Sequence, residues 1–302
     1  MTEQDIHTYY RQAGQIAAQA REYGLSLLKA GALYKDIAEK VEEKIVSLGG
    51  QVAFPVNIAA NHIAAHYSPT HDDTTTVQKG DLIKLDVGAH INGYIGDTAA
   101  TVEIETTNHT DMIQASTEAL QAALELITPG IDLHLIGKAI EDTITSYGYK
   151  PIENLTGHSL KQYTLHAGLS IPNTPRAADN SRPQEGDIIA IEPFATDGGG
   201  RVTSGAGSNI YCCQDSLRSR FIRDNRTKKA FQSLYRTYKT LPFSERAAHK
   251  TIPSSSLNLK RLSMYGVLHH YPQLPEINNG LVTQKEHTVI ITADGCSITT
   301  NP

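Results

Sequence analysis

Two aspartates, Asp86 and Asp97, stand eleven residues apart in KLDVGAHINGYIGDTAATVEI, on either side of an Asn92-Gly93 pair. Asn-Gly between two alternating runs is the strongest short-range hairpin signal, because both central residues of a type I′ turn need positive φ. In such a hairpin, residues whose numbers sum to 185 face each other, so Asp86 faces Ala99 and Asp97 lies two residues away on the same face. Diagonal neighbours of this kind have Cα atoms roughly 7–8 Å apart, a spacing that lets two carboxylates share a pair of metal ions. Leu85, Val87, Ala89 and Ile91 fall on the other face and supply its buried side.

Two further carboxylates sit inside apolar runs, Glu192 in DIIAIEPF and Glu286 in LVTQKEHTVIIT. An ionised carboxylate is expensive to bury without a cation or hydrogen-bond donors. Hard oxygen ligands with one imidazole suit Mn, Fe, Co or Zn rather than a thiolate site, and His158 in NLTGHSL can supply that imidazole.

The elements that must position these groups are found by comparing the chain with itself. Residues 78 to 86 read QKGDLIKLD and residues 184 to 192 read QEGDIIAIE, so Glu192 occupies the repeat position of Asp86. Upstream, residues 30 to 50 align with 129 to 149, pairing Gly31 with Gly130, Ile37 with Ile136, Glu42 with Glu141 and Gly49 with Gly148. Apolar spacing at Ile16, Ala20 and Leu25 to Leu28, and again at Met112, Leu120, Leu124 and Leu126, predicts helices. Each half also carries a histidine at a matching place, His66 and His166. The expected fold is therefore a duplicated α+β unit, with helices on one face of a shared antiparallel sheet and a site between pseudo-symmetric halves.

The 302 residues carry a formal net charge of −5, with 39% hydrophobic and 20% charged residues. No overall attraction to DNA or to an anionic membrane follows from that balance. No basic start with an apolar stretch marks a signal peptide, and no apolar run approaches a membrane span. Cys212, Cys213 and Cys296 form neither a disulfide framework nor a metal knuckle. A cytoplasmic monomer with reduced thiols is expected.

The runs AAHYSP, KLDVGAHINGYIGDTA, LTGHSL, YTLHAG, IEPF and KEHTVI, in this order, resemble the methionine aminopeptidases of the pita-bread fold over nearly the whole chain. The resemblance implies one catalytic domain over residues 1–302 holding two divalent ions (Co, Mn, Fe or Zn) on Asp86, Asp97, His158, Glu192 and Glu286. It implies removal of the N-terminal methionine of nascent polypeptides by a metal-bridged hydroxide. Glu192 would carry the proton, His166 would stabilise the oxyanion, His66 would meet the scissile amide, and Phe54, Leu165 and Tyr271 would line the methionine pocket. Glu192 and Glu286 lie 94 residues apart, so the second half holds an insertion at about 214–276. The segments KTLPFSERAA and HHYPQLPEI there resemble the type II, archaeal-like members. His62 departs from the family's acidic or polar residue, which bears on substrate fit. The alternatives are a prolidase or Xaa-Pro aminopeptidase and a non-catalytic binding protein of the same fold. A filled ligand set and a chain that begins in the catalytic domain favour the first reading.

The remaining candidates have plainer readings. His71, Asp72 and Asp73 form a polar loop where no further metal site is expected, and His134, His269 and His270 read as surface residues. Gly198-Gly199-Gly200 and the Gly205–Gly207 run lack the lysine and helix of a phosphate loop and read as loop glycines. Arg218, Arg220, Arg223, Arg226, Lys228 and Lys229 read as a solvated helix face, with approach to ribosomal RNA as the alternative.

Overall fold

A computed structural model describes residues 2–175, 181–214 and 216–301. The first half runs α1 (Glu3–Leu27), α2 (Tyr34–Ser47), β1 (Gln51–Ala60), β2 (Ile63–Ala65), β3 (Leu82–Ile91) and β4 (Tyr94–Glu103). The second half opens with α3 (Thr110–Leu126), α4 (Leu133–Ser146), β5 (Lys150–Pro151), β6 (Thr156–Ser159), β7 (Ser170–Pro172), β8 (Ile188–Ile191), β9 (Phe194–Thr196) and β10 (Gly207–Cys213). A 3-10 turn, Ser216–Phe221, leads into α5 (Asn225–Tyr238), β11 (Pro242–Ser244), α6 (Glu245–Thr251), α7 (Ser255–Met264), β12 (Leu268–Pro272) and β13 (Leu274–Pro275). The described chain closes with β14 (Val282–Gln284), β15 (His287–Thr292) and β16 (Gly295–Ile298).

Strand alternation decides what each face does. Ile83, Leu85, Val87 and Ala89 of β3 pack against Ile16 and Ala20 of α1 and Ile37 and Val41 of α2. In the second half Ile189 and Ile191 of β8 and Val289 and Ile291 of β15 pack against α3 and α4. Each fully buried aliphatic side chain contributes roughly 1.5–3 kcal/mol, which fixes the helix-facing side. Asp86, on the other pleat of β3, is thereby turned away from the helices. His158 pairs with Ala190 of β8, so it shares the face turned from the second helix pair.

The duplication extends to atomic detail. Gly80 and Gly186 both have φ of 86°, in the left-handed region that glycine occupies without strain. Before each strand the Asp81 or Asp187 carboxylate accepts from the amide of Gln78 or Gln184, at 2.8 Å in both cases. The Gly80 amide donates to the Ile104 carbonyl at 2.8 Å, and the Gly186 amide to that of Ile291 at 2.9 Å.

The expected shared sheet is divided. β1-β3-β4 and β16-β15-β8-β6-β7 form separate ladders, accompanied by β14-β9-β5, β11-β10-β12 and β13-β2. Where β4 meets the second half, one bridge, Ala100 to Lys285, is joined by side-chain hydroxyls. Thr98 Oγ1 donates to the Glu286 carbonyl at 2.9 Å, Thr101 Oγ1 to that of Gln284 at 2.8 Å, and Thr288 Oγ1 to that of Asp97 at 2.8 Å. A regular ladder stops because Glu192 lies at the break between β8 and β9, and Glu286 at the break between β14 and β15. In residues 214–276, β11 and β12 flank β10, and α5 to α7 close around Phe231, Leu234 and Leu262.

Candidate active site

The β3–β4 hairpin has the expected register, with Asp86 opposite Ala99 and Ile91 opposite Tyr94. Asn92 and Gly93 have φ of 52° and 87°, as a type I′ turn requires. Asp97 is buried, and its backbone is clasped to β15, because its amide also donates to Thr288 Oγ1 at 2.9 Å. From the second half, His158 Nε2 lies 3.7 Å from Asp97 Oδ2 and 3.8 Å from Glu192 Oε1. Gln284 Nε2 ties the last two carboxylates together, donating to Glu192 Oε2 at 3.2 Å and to Glu286 Oε2 at 3.4 Å.

Four acids in one dry place raise one another's pKa. Burial pushes Asp86 up to about 7, against the pull of the Val87 amide. Asp97 is held well above the carboxylate range by burial and then by Asp86 and Glu192, and Glu192 by burial and Asp86. Glu286 follows through burial and the charges of Asp97, Glu192 and Asp86, with Arg21 opposing. Burial, aided by His166, pushes His158 down to about 3. The buried Oδ1 atoms of Asp86 and Asp97 and Nδ1 of His158 have no hydrogen-bond partner among the described residues. Donor atoms of Asp97, His158 and Glu286 all lie within 4.8 Å of one another. Unsatisfied hard oxygens around one neutral imidazole fit divalent cations, which supply the missing charge.

A cleft opens onto these groups, and every side chain nominated from the sequence for the site lines it. His66 leaves β2 with φ of 63°, a conformation rare for a residue with a side chain. Its Nδ1 stands 3.3 Å from the Pro272 carbonyl, and its ring meets Tyr271 edge-on with centroids 5.4 Å apart. Burial and the neighbouring His166 push His66 down to about 4, so it is neutral at pH 7. His166 sits in the loop after β6, 4.4 Å between centroids from the His158 ring, and burial lowers it too. Phe54 and Leu165 belong to one apolar cluster at the cleft wall. Phe54 crosses β3 at Gly88, where a Cβ would lie 2.1 Å from its ring.

Asn57, Ala65, Ile210 and Pro242 also line the cleft and were not anticipated. Asn57 faces Asp86 across β1–β3, and a polar residue inside VAFPVNIAA was the available signal. Gln284, two residues before Glu286, was legible from strand alternation. Ile210 and Pro242 gave no signal, since they arrive by the β10–β11 pairing.

Among the plainer candidates, His269 and His270 are exposed. His134 is instead half-buried on α4, its Nδ1 without a partner among the described residues, because the helix packs that side inward. The amides of Gly199 and Gly200 donate to the Glu276 carboxylate, which occupies the place an anion would take. Gly207 is a strand residue of β10 rather than part of a loop. Arg220, Arg223, Arg226 and Lys229 are exposed and Lys228 half-buried, while the side chain of Arg218 lies outside the described residues.

Comparison with known proteins adds an independent line. Residues 8–236 match the model of metallopeptidase family M24. A methionine aminopeptidase of Pyrococcus abyssi is 44% identical over 291 residues, 96% of this chain and 97% of that one. The structure of a thermophilic Arx1 superposes with a TM-score of 0.87 at 19% identity, covering 99% of this chain and 91% of that one. A methionine aminopeptidase from Thermotoga maritima superposes with a TM-score of 0.72 at 21% identity, covering 100% and 98%. These structural likenesses speak to the fold.

Proposed function

The chain belongs to metallopeptidase family M24, and on that premise we propose that it is a methionyl aminopeptidase acting on the N-terminal methionine of newly made proteins. The observation that carries the reading is the convergence of Asp86, Asp97, Glu192, Glu286 and His158 at the floor of a cleft walled by apolar side chains. These five would hold two divalent ions of the Co, Mn, Fe or Zn kind. The chemistry such ions would supply there is neutralisation of the carboxylates, polarisation of a carbonyl and a water acidic enough to lose its proton near pH 7; aminopeptidases are among the general examples of such two-metal sites.

The chain's own residues divide the remaining work. Phe54, Leu165 and Tyr271 offer the apolar surface that a thioether side chain requires. Glu192 takes the proton of the attacking water and returns it to the leaving amine. His166 donates to the oxygen on which negative charge develops, and His66, neutral in its pocket, hydrogen-bonds the scissile amide. The free α-amino group of the substrate would be held at the same centre, which favours cleavage after the first residue.

We read residues 1–302 as one catalytic domain of duplicated pita-bread architecture, with 214–276 as the type II insertion. We read the enzyme as a cytoplasmic monomer whose exposed basic residues in the insertion form a solvated face, the one it would turn to a ribosome in the alternative reading. The test is hydrolysis by the purified chain with added Mn or Co. Met-Ala-Ser should be cut after its first residue and its N-acetylated form should not, since the free amine is what the centre recognises. Preference for Ala-Pro would transfer the assignment to the prolidase reading, and no hydrolysis of either peptide would favour a binding protein.

A further inference from the structure

Glu245 and His249 stand four residues apart on α6 and so share one face of it. That face meets His71, in the loop between β2 and β3, 174 residues away in the chain. His71 Nδ1 lies 3.1 Å from both Glu245 carboxylate oxygens, and the His71 amide donates to Oε2 at 3.2 Å. The His71 and His249 rings stack with centroids 4.0 Å apart and planes 7° from parallel. One donor atom from each of the three residues lies within 4.8 Å of the others. None of the three lines the active-site cleft.

We propose that His71, Glu245 and His249 bind a divalent cation of the zinc type, separate from the catalytic centre, which fastens the insertion to the loop that follows His66. Two imidazoles and a carboxylate are an established zinc donor set and leave a fourth position for water. At metal–ligand distances of about 2.0–2.2 Å, tetrahedral donors stand roughly 3.3 Å apart. The Glu245–His71 separation already meets that requirement. His249 is exposed, with its Nδ1 3.3 Å from Ser255 Oγ, and binding would require its ring to turn out of the stack so that a nitrogen faces the other two donors.

Charge supplies the second argument. Glu245 is buried, and among the described residues no lysine or arginine pairs with it. Its neighbour Arg246 turns away, donating to the Pro69 carbonyl at 2.6 Å and to Glu42 at 2.5 Å. A buried carboxylate without a lysine or arginine partner, faced by imidazole nitrogens, is completed by a cation. The sequence offered no metal site at His71, Asp72 and Asp73, because the other two donors proposed here come from the insertion. Occupancy would join two walls of the cleft, since His66 precedes this loop and Pro242 precedes α6.

Zn²⁺ titrated into the metal-stripped full chain tests this, with stoichiometry read by equilibrium dialysis and elemental analysis. Wild type should take up one more Zn²⁺ per chain than His249→Ala or His71→Ala. Zn²⁺ should also raise its thermal midpoint by about 3 °C or more beyond the rise in His249→Ala. Because His249 is exposed its replacement leaves the fold intact, and His249→Cys, which restores a zinc ligand, should restore the extra equivalent. Equal stoichiometry and equal midpoint shifts in wild type and His249→Ala would overturn the proposal. It would equally be overturned if wild type exceeds His249→Ala in stability to an extent that follows pH and ignores Zn²⁺, which would make the cluster a protonated imidazole–carboxylate pair.

Discussion

In the first half of the molecule Asp86 and Asp97 sit within two ten-residue strands joined by a two-residue turn, and ladder hydrogen bonds hold them. In the second half Glu192 and Glu286 sit at breaks between strands of three to six residues, separated along the chain by the whole insertion. There the groups are held by side chains: Gln284 between the two glutamates, and Thr98 and Thr288 across to β4. The duplication thus kept the positions of the carboxylates and not the backbone that presents them. A site fixed by its side chains tolerates a long excursion between its strands, whereas one fixed by a tight hairpin does not.

If both halves serve one centre, removing a charge from either should be equally damaging. Asp97→Asn and Glu286→Gln should each lower kcat on Met-Ala-Ser by roughly a thousand-fold or more, and near-normal turnover in one of them would remove its half from the centre. In the chelated protein the sign reverses: each variant relieves mutual repulsion and should gain about 1–3 kcal/mol in denaturant unfolding at pH 8.

The same crowding sets a pH dependence. With Asp86 near 7 and the other three acids held well above the ordinary carboxylate range, the folded metal-free chain retains protons that the unfolded chain has lost. That stability is complete below the unfolded carboxylate range of about 4 and disappears as pH rises through the folded values. His66 and His158, pushed down to about 4 and about 3, act in the opposite direction, but their contribution is complete above about 6.5. Between pH 6.5 and 8 the chelated protein should therefore lose about 1.4 kcal/mol per pH unit for each proton released. The metal-loaded protein should not, and parallel urea titrations of the two forms would reveal the difference or its absence.

Smaller changes sharpen the contrast between ladder and clasp. Thr288→Val strands the buried amide and carbonyl of Asp97 and should cost about 2–3 kcal/mol in urea unfolding; a loss below about half a kcal/mol would mean that the clasp between the halves is not structural. Smallest are Gly80→Ala and Gly186→Ala, which force alanine to a φ of 86° and should each cost about 1–2 kcal/mol. Their effects should match, because the two turns are built alike, and a twofold disparity would show that the repeat survives in sequence but not in energetics.

Much of this was readable before any coordinates. The Asn92-Gly93 turn dictated the hairpin register, and carboxylates inside the apolar runs at Glu192 and Glu286 announced buried charge. Periodicity encodes which face a residue occupies, so the helix-facing residues Leu85, Val87, Ile189 and Ile191 were legible. It does not encode which distant strand edges meet. The divided sheet, the cleft contacts of Ile210 and Pro242, and the pairing of His71 with Glu245 all depend on such meetings. Asn57 is an intermediate case, since its polarity inside VAFPVNIAA is visible in the sequence and its place opposite Asp86 follows only from the β1–β3 pairing.

Strand β10 lies before the 214–276 segment, yet both of its neighbours, β11 and β12, come from inside it. Excising that segment would leave β10 with two bare edges, the kind of surface that recruits other chains into aggregates. The insertion is therefore not a removable ornament for protein engineers, and a minimised enzyme made by deleting it should precipitate rather than broaden its specificity. Grafting is the workable operation: exchanging β11 to β12 as a unit between homologues keeps β10 paired and replaces Pro242 and Tyr271 together, while the carboxylates of both halves remain where they were.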